Sequence, residues 1–171
     1  MSLELVRVGA VPPAMMRETA KLLEPLLGWA VSLPSEAVDG APALDASRRQ
    51  YSAAKMLDLL LASAPPEGVK RVGITPLDLF LPVFTHLYGY AQLGGQAAVV
   101  STFRIRPEEG LPPGLLLERT AKEVLHELGH TMGLVHCPAP WCSMHPSRWP
   151  EEIDLRDMAY CPPCANVVVG H

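Results

Sequence analysis

The sequence lacks the features that mark secreted, membrane-spanning and nucleic-acid-binding proteins. No segment has the roughly 20 consecutive apolar residues of a membrane span. The N-terminus has no basic start, and Glu4 and Arg7 interrupt its apolar residues, so we expect no secretory signal. The sequence has no block of basic residues, and its 14 Lys and Arg against 18 Asp and Glu give a net charge of -4. Both features argue against nucleic acid or an anionic membrane as a partner. We therefore expect a cytoplasmic protein.

Cysteine is absent from the first 136 residues, and the chain has no internal repeat and no low-complexity segment. A chain of 171 residues, 49% of them hydrophobic, is long enough for one domain with a real core. We predict a single domain over residues 1–171, with an N-terminal subdomain (1–133) and a C-terminal subdomain (134–171), and a monomer as the default state for a chain of this size.

The apolar patterns and the proline and glycine positions predict an α+β fold with an α/β-like order of elements. They predict strands at 3–8, 29–33, 70–75, 87–93 and 97–103, and helices at 12–27, 47–64, 115–132 and 150–160. Gly94 and Gly95 predict a hairpin between the last two strands. We expect a mixed, mostly parallel, twisted sheet that is backed by two helices. The helix at 115–132 and an irregular C-terminal region complete the predicted fold.

Residues 125–137 contain a motif with several potential metal-binding side chains and read L-H-E-L-G-H-T-M-G-L-V-H-C. His126 and His130 are four residues apart, so on a helix both imidazoles can reach one tetrahedral Zn²⁺. Glu127 then lies beside the metal, where it can take a proton from a bound water. Gly133 allows the helix to end in a turn that returns His136 as a third ligand.

The apolar residues of the same helix form a stripe opposite the two histidines. They are Leu117, Ala121, Val124, Leu128 and Met132. The pattern predicts that this stripe packs against the sheet while the other side of the helix holds the metal in an open cleft.

The four cysteines fall into two pairs, Cys137 with Cys142 and Cys161 with Cys164. Fewer than twenty residues separate the pairs, which favours a four-cysteine structural zinc site with no position left for water. A redox pair at Cys161 and Cys164 and a disulfide are the alternatives. A redox pair usually opens a helix after a strand, and it would leave the other two cysteines unexplained.

This combination resembles the archaemetzincin family of metzincin zinc metallopeptidases. The shared features are the run H-E-x-x-H-x-x-G-x-x-H-C, a further Cys and Met shortly after it (Cys142 and Met144), and a distal C-x-x-C. The resemblance implies a compact metzincin-type fold, with Met144 as the methionine of the Met-turn beneath the metal. Pro146 stands where some metzincins have a tyrosine that binds zinc or the transition state, so that role does not transfer.

The motif and the resemblance together predict a zinc metallopeptidase with two Zn²⁺ per chain, one catalytic and one structural, that acts on peptides or proteins. Glu127 is the expected general base, and the strand at 87–93 is expected to hold an extended peptide at the sheet edge. A zinc-stabilised peptide- or protein-binding module with a vestigial catalytic site and a thiol–disulfide oxidoreductase are the competing interpretations. His145 is expected in the pocket, Glu123 as a solvated or supporting carboxylate, and His86 and His171 as residues without a site.

Overall fold

The structure is a computed structural model that describes residues 1–168 and 170; His171 lies outside them. The strands of the described residues are β1 (Ser2–Arg7), β2 (Ala30–Ser32), β3 (Leu44–Asp45), β4 (Gln50–Ser52), β5 (Val69–Thr75), β6 (Leu79–Leu81), β7 (Phe84–Leu87), β8 (Gly89–Ala91) and β9 (Ala97–Ser101). The α-helices are α1 (Pro13–Leu27), α2 (Ala53–Leu61), α3 (Leu115–Thr131), α4 (Pro150–Asp154) and α5 (Pro162–Val168).

The central sheet has five strands in the order β2-β1-β5-β9-β8. All neighbouring pairs are parallel except β8 with β9, which is antiparallel and leaves β8 at the edge. The prediction of a mixed, mostly parallel sheet is therefore confirmed. A second sheet, β3-β4-β6-β7, was not predicted, because its strands have only two to four residues and show no clear alternation.

Helices cover both faces of the central sheet. On one face, residues of α1 and α3 pack with the inward residues of β1, β5 and β9 in a common hydrophobic core. On the other face, α2 packs over Val6, Val8, Ala97 and Val99. The core thus holds α3, which carries the histidine motif, against β9 and the edge strand β8 of the central sheet.

Several predicted element boundaries are wrong. The helix predicted over 47–64 begins only at Ala53, where the hydroxyl of Ser52 accepts a hydrogen bond from the Lys55 amide and caps it. The residues before it form β3 and β4. The helix predicted over 150–160 ends at Asp154. The C-terminal region is also less irregular than expected, because α5 begins at Pro162 inside the Cys161–Cys164 pair, where a proline suits the first helical turn.

The environment of α3 also differs from the prediction. Its apolar stripe faces the core as expected, but the opposite side is covered as well. The charged residues Arg119, Lys122 and Glu123 are all at most 4% exposed, because the segment around Asp154 packs over them. The part of the helix that lines the cleft carries Glu123, His126, Glu127 and His130. Within the described part of the chain, no helix is long and apolar enough to cross a membrane.

Candidate metal centres and active-site cleft

His126, His130 and His136 converge on one point. Their nearest ring nitrogens all lie within 4.8 Å of one another, and the Nε2 atoms of His126 and His130 are 3.1 Å apart. Two ligands of a tetrahedral zinc with Zn–N bonds of 2.0–2.1 Å are separated by about 3.3 Å. The three imidazoles are therefore spaced as a single metal ion requires.

Backbone carbonyls orient two of these rings. Nδ1 of His126 lies 2.8 Å from the carbonyl oxygen of Ser143, and Nδ1 of His130 lies 2.7 Å from that of Leu134. A carbonyl only accepts, so each Nδ1 carries the proton and donates it. Each Nε2 is then left with a free lone pair, which is the form of histidine that binds a metal. Burial and the positive charge of Arg156 lower the pKa of His126, which keeps its ring neutral.

Glu127 lies in the same cleft, which has a volume of about 720 Å³ and is lined by all three histidines. The side chain is 5% exposed. Its pKa is raised well above the usual value, chiefly by burial and also by the neighbouring charge of Glu123. A carboxylate with a raised pKa is a stronger base than an ordinary glutamate, which suits a group that accepts a proton.

Strand β8 forms one wall of the cleft. Hydrogen bonds from Ser101 to Tyr88 (2.7 Å) and from Gln92 to Ala97 (3.0 Å) show that the even-numbered residues of this segment bond to β9. The amides and carbonyls of Gly89 and Ala91 therefore point toward the open edge. Gly89 approaches Glu127 so closely that a Cβ atom there would lie 2.5 Å from the glutamate Oε1.

Met144 is fully buried against α3. A Cβ atom at Gly129 would lie only 2.3 Å from the Met144 sulfur, so the two residues are in direct contact. Gly129 lies between Glu127 and His130 on the helix. The methionine thus packs against the backbone that carries the metal-binding face.

The four cysteines form a second cluster. Their Sγ atoms all lie within 4.8 Å of one another, and those of Cys137 and Cys161 are 3.7 Å apart. All four cysteines are free, and the 3.7 Å distance matches the roughly 3.8 Å between two thiolates on one tetrahedral zinc. Cys161 does precede a helix, α5, but the element before it is α4 and not a strand, so the pair has only part of the arrangement expected of a redox pair. The convergence of all four sulfurs is what favours a metal.

Sequence reasoning missed one member of the site. Arg156 is 1% exposed, pairs with Glu123 and contacts the ring of His126. Glu123 is buried rather than solvated. No spacing rule links Arg156 to a motif that lies thirty residues earlier, so only the fold brings them together.

Other predicted residues lie near the site without joining either cluster. His145 does not line the cleft; its Nδ1 lies 3.1 Å from the carbonyl oxygen of Cys137. His86 does line the cleft, where burial lowers its pKa.

Comparisons with known proteins agree with this geometry. A sequence model of Peptidase family M54 matches residues 38–169. The chain is 34% identical over 174 residues to an archaemetzincin of Halobacterium salinarum, covering 98% of this chain and 99% of that one. It is 41% identical over 126 residues to an archaemetzincin of Pyrococcus horikoshii, covering 71% and 67% of the two chains.

Solved structures give the same result. The archaemetzincin of Methanopyrus kandleri superimposes with a TM-score of 0.85 and 32% identity, covering 98% of this chain and 93% of that one. A zinc-dependent peptidase of Methanocorpusculum labreanum superimposes with a TM-score of 0.86 and 26% identity, covering 98% and 100%. The chain therefore belongs to peptidase family M54, the archaemetzincins, and is a zinc metallopeptidase.

Proposed function

We propose that the protein hydrolyses peptide bonds at the cleft between β8 and α3, with His126, His130 and His136 holding the catalytic zinc and Glu127 acting as general base. The convergence of three imidazoles beside a buried carboxylate carries this proposal. A zinc ion bound there supplies a water of lowered pKa, toward about 7, and polarises the substrate carbonyl.

The role of Glu127 follows from its position and its surroundings. It accepts the proton of the attacking water and passes it to the amine that leaves. The raised pKa of Glu127 supports the first step, because it makes the carboxylate a stronger base than an exposed glutamate. Glu123 and Arg156 do not replace it, since each already serves as the ion-pair partner of the other.

The edge of β8 provides a place for the substrate backbone. The amides and carbonyls of Gly89 and Ala91 face the cleft and can pair with an extended peptide as an additional strand. Gly89 lies against Glu127, so a peptide bound at this edge passes next to the general base. Phe84, Leu93 and Val135 line the same cleft with exposed apolar surface that can pack against substrate side chains.

We further propose that Cys137, Cys142, Cys161 and Cys164 bind a second, structural zinc, which makes two zinc ions per chain. Four thiolates would occupy all the ligand positions of a zinc ion and leave none for water, so this site would have a structural and not a catalytic role. Burial raises the pKa of Cys142 and of Cys164, and a cation at the centre of the cluster would stabilise their thiolate forms.

The experiment that tests the function is a peptide-library digestion read by mass spectrometry, with the zinc-loaded wild type and Glu127→Gln side by side. We expect cleavage by the wild type and a cleavage rate at least about 100-fold lower in Glu127→Gln, because the glutamine amide has the same shape as the carboxylate but cannot act as a base. Glu109→Gln, on an exposed loop, is the matched control and should cleave like the wild type. Metal content should be equal in all three. Equal activity of Glu127→Gln would refute the mechanism.

A further inference from the structure

The guanidinium of Arg156 joins the C-terminal segment to the metal-binding helix. Its Nη1 lies 3.0 Å from the carbonyl oxygen of Ser143 and 3.2 Å from that of His145. Its Nη2 pairs with the carboxylate of Glu123 on α3. These two carbonyls belong to the residues on either side of Met144. The side chain of Arg156 therefore holds both ends of the Met-turn and also contacts α3.

The same contacts determine the tautomer of His126. Nη1 carries two hydrogens, and the carbonyls of Ser143 and His145 accept both of them. Although Nη1 lies 2.9 Å from Nδ1 of His126, it has no further hydrogen for that nitrogen. Nδ1 of His126 therefore keeps its own proton and donates it to Ser143, 2.8 Å away. The carbonyl that fixes this ring is thus itself held in place by Arg156.

Glu123 makes this arrangement possible in a buried environment. Arg156 is 1% and Glu123 is 4% exposed, and an isolated buried guanidinium would be strongly destabilising. The carboxylate balances its charge. Glu123 also precedes His126 by three residues on α3, so the ion pair lies next to the helix face that carries His126.

We propose that Arg156 is a positioning residue for the metal centre. It orients the ring of His126 through the carbonyl of Ser143, and it holds the turn that packs Met144 against α3. It does this without supplying a ligand or a proton. The proposal rests on the proposed function, since it takes His126 to be a metal ligand.

The test measures metal affinity as well as hydrolysis. Arg156→Met removes the charge and all three hydrogen-bonded contacts but retains an unbranched apolar side chain. We expect the affinity of the histidine site for Co²⁺, measured by chelator competition with the cysteine site left filled, to fall 10- to 100-fold. The visible spectrum of the bound Co²⁺ should change, and kcat should fall while KM for a peptide stays within about twofold.

Two further variants separate positioning from general stability. Arg156→Lys keeps the charge and can pair with Glu123, but an ammonium group lacks the planar fork that reaches both carbonyls, so its affinity should lie between those of Arg156→Met and the wild type. Lys122→Met is the matched control. Lys122 is also a buried cation; it lies on α3 and is bound to Glu118 and to the carbonyl of Asp154. Its loss should lower the melting temperature and leave the Co²⁺ affinity and spectrum unchanged.

Each outcome decides one question. If folded Arg156→Met binds Co²⁺ with wild-type affinity and an unchanged spectrum, the positioning role is wrong. If Arg156→Met does not fold, the test depends on Arg156→Lys. A loss of threefold or more in its Co²⁺ affinity supports the positioning role, and wild-type Co²⁺ affinity overturns it. If the wild type binds Co²⁺ at the histidines but cleaves no peptide, the proposed function fails while the positioning role stands. If Lys122→Met weakens Co²⁺ binding equally, the effect is one of stability and the proposal is overturned.

Discussion

His136 and Cys137 are adjacent in the chain but belong to two different clusters of potential metal ligands. The amide of Cys137 donates to the carbonyl of Met144 at 2.9 Å, and Cys142 precedes that methionine by only two residues. The cysteine cluster therefore holds both the third histidine and the methionine turn. Loss of its metal should disturb the histidine site without any change in the histidines.

The first prediction concerns this link. Cys164→Ser removes one thiolate of the cluster but is far in sequence from His136. We expect the free energy of unfolding to fall by more than about 3 kcal/mol, since structural zinc supplies on the order of 10 kcal/mol of folding free energy. The Co²⁺ affinity of the histidine site should fall as well. Urea unfolding and zinc analysis check the prediction, and unchanged stability with no zinc in the wild type would favour a redox pair instead.

The second prediction concerns the contact between Gly129 and Met144. A methyl group at position 129 would lie 2.3 Å from the Met144 sulfur, so Gly129→Ala forces the methionine to move. Alanine favours a helix over glycine by up to about 1 kcal/mol, but overpacking costs about 1–3 kcal/mol. We expect a net loss of stability and a weaker histidine site.

A double-mutant cycle gives the control for that substitution. Met144→Ala creates space for the new methyl group, so Gly129→Ala in that background should be neutral or stabilising. Additive effects of the two changes would show that the contact does not matter.

The third prediction concerns Gly89 at the edge of the sheet. A Cβ atom at this position would lie 2.5 Å from Oε1 of Glu127, so Gly89→Ala must displace the proposed base. A displacement of about 1 Å can cost on the order of 100-fold in rate. We expect kcat to fall at least about tenfold while zinc content is unchanged. A wild-type kcat in steady-state peptide hydrolysis would mean that Glu127 tolerates the shift or is not the base.

The fourth prediction concerns Lys70, which ties the β8–β9 turn to the end of α3. Its Nζ donates to the carbonyls of Gly95 (2.6 Å) and Thr131 (2.8 Å), and burial lowers its pKa. Lys70→Met leaves both carbonyls without this partner, and we expect a loss of about 1–3 kcal/mol in stability. KM should rise more than kcat falls, because the edge strand loses its anchor.

Hydrogen exchange locates the effect of that change. The amide of Gly94, which donates to the carbonyl of His130 at 2.9 Å, should exchange faster in Lys70→Met than in the wild type. The amides of β1, on the far side of β5, serve as the internal reference. Equal protection of the Gly94 amide in both proteins would contradict an anchoring role.

The accuracy of the sequence predictions depended on how local the responsible interactions are. α3 was predicted to within a residue, because its periodicity spans 17 residues and Gly133, with φ of 90°, ends it. The start of α2 was wrong by six residues, because Ser47 and Ser52 are both acceptable caps and only tertiary packing selects one. Short strands such as β3 and β6 lack a period long enough to detect.

The amino-acid sequence was enough to identify the three candidate histidine ligands, because spacings of four and six residues translate directly into side-chain positions on one helix and its following turn. It also determined the family. The position of β8 at the open edge of the sheet became known only from the fold. The same is true of the contacts of Arg156 with His126 and of Gly89 with Glu127. Those contacts join segments about thirty or more residues apart. Their spacing along the chain does not predict them, because only packing of the core brings such distant segments together.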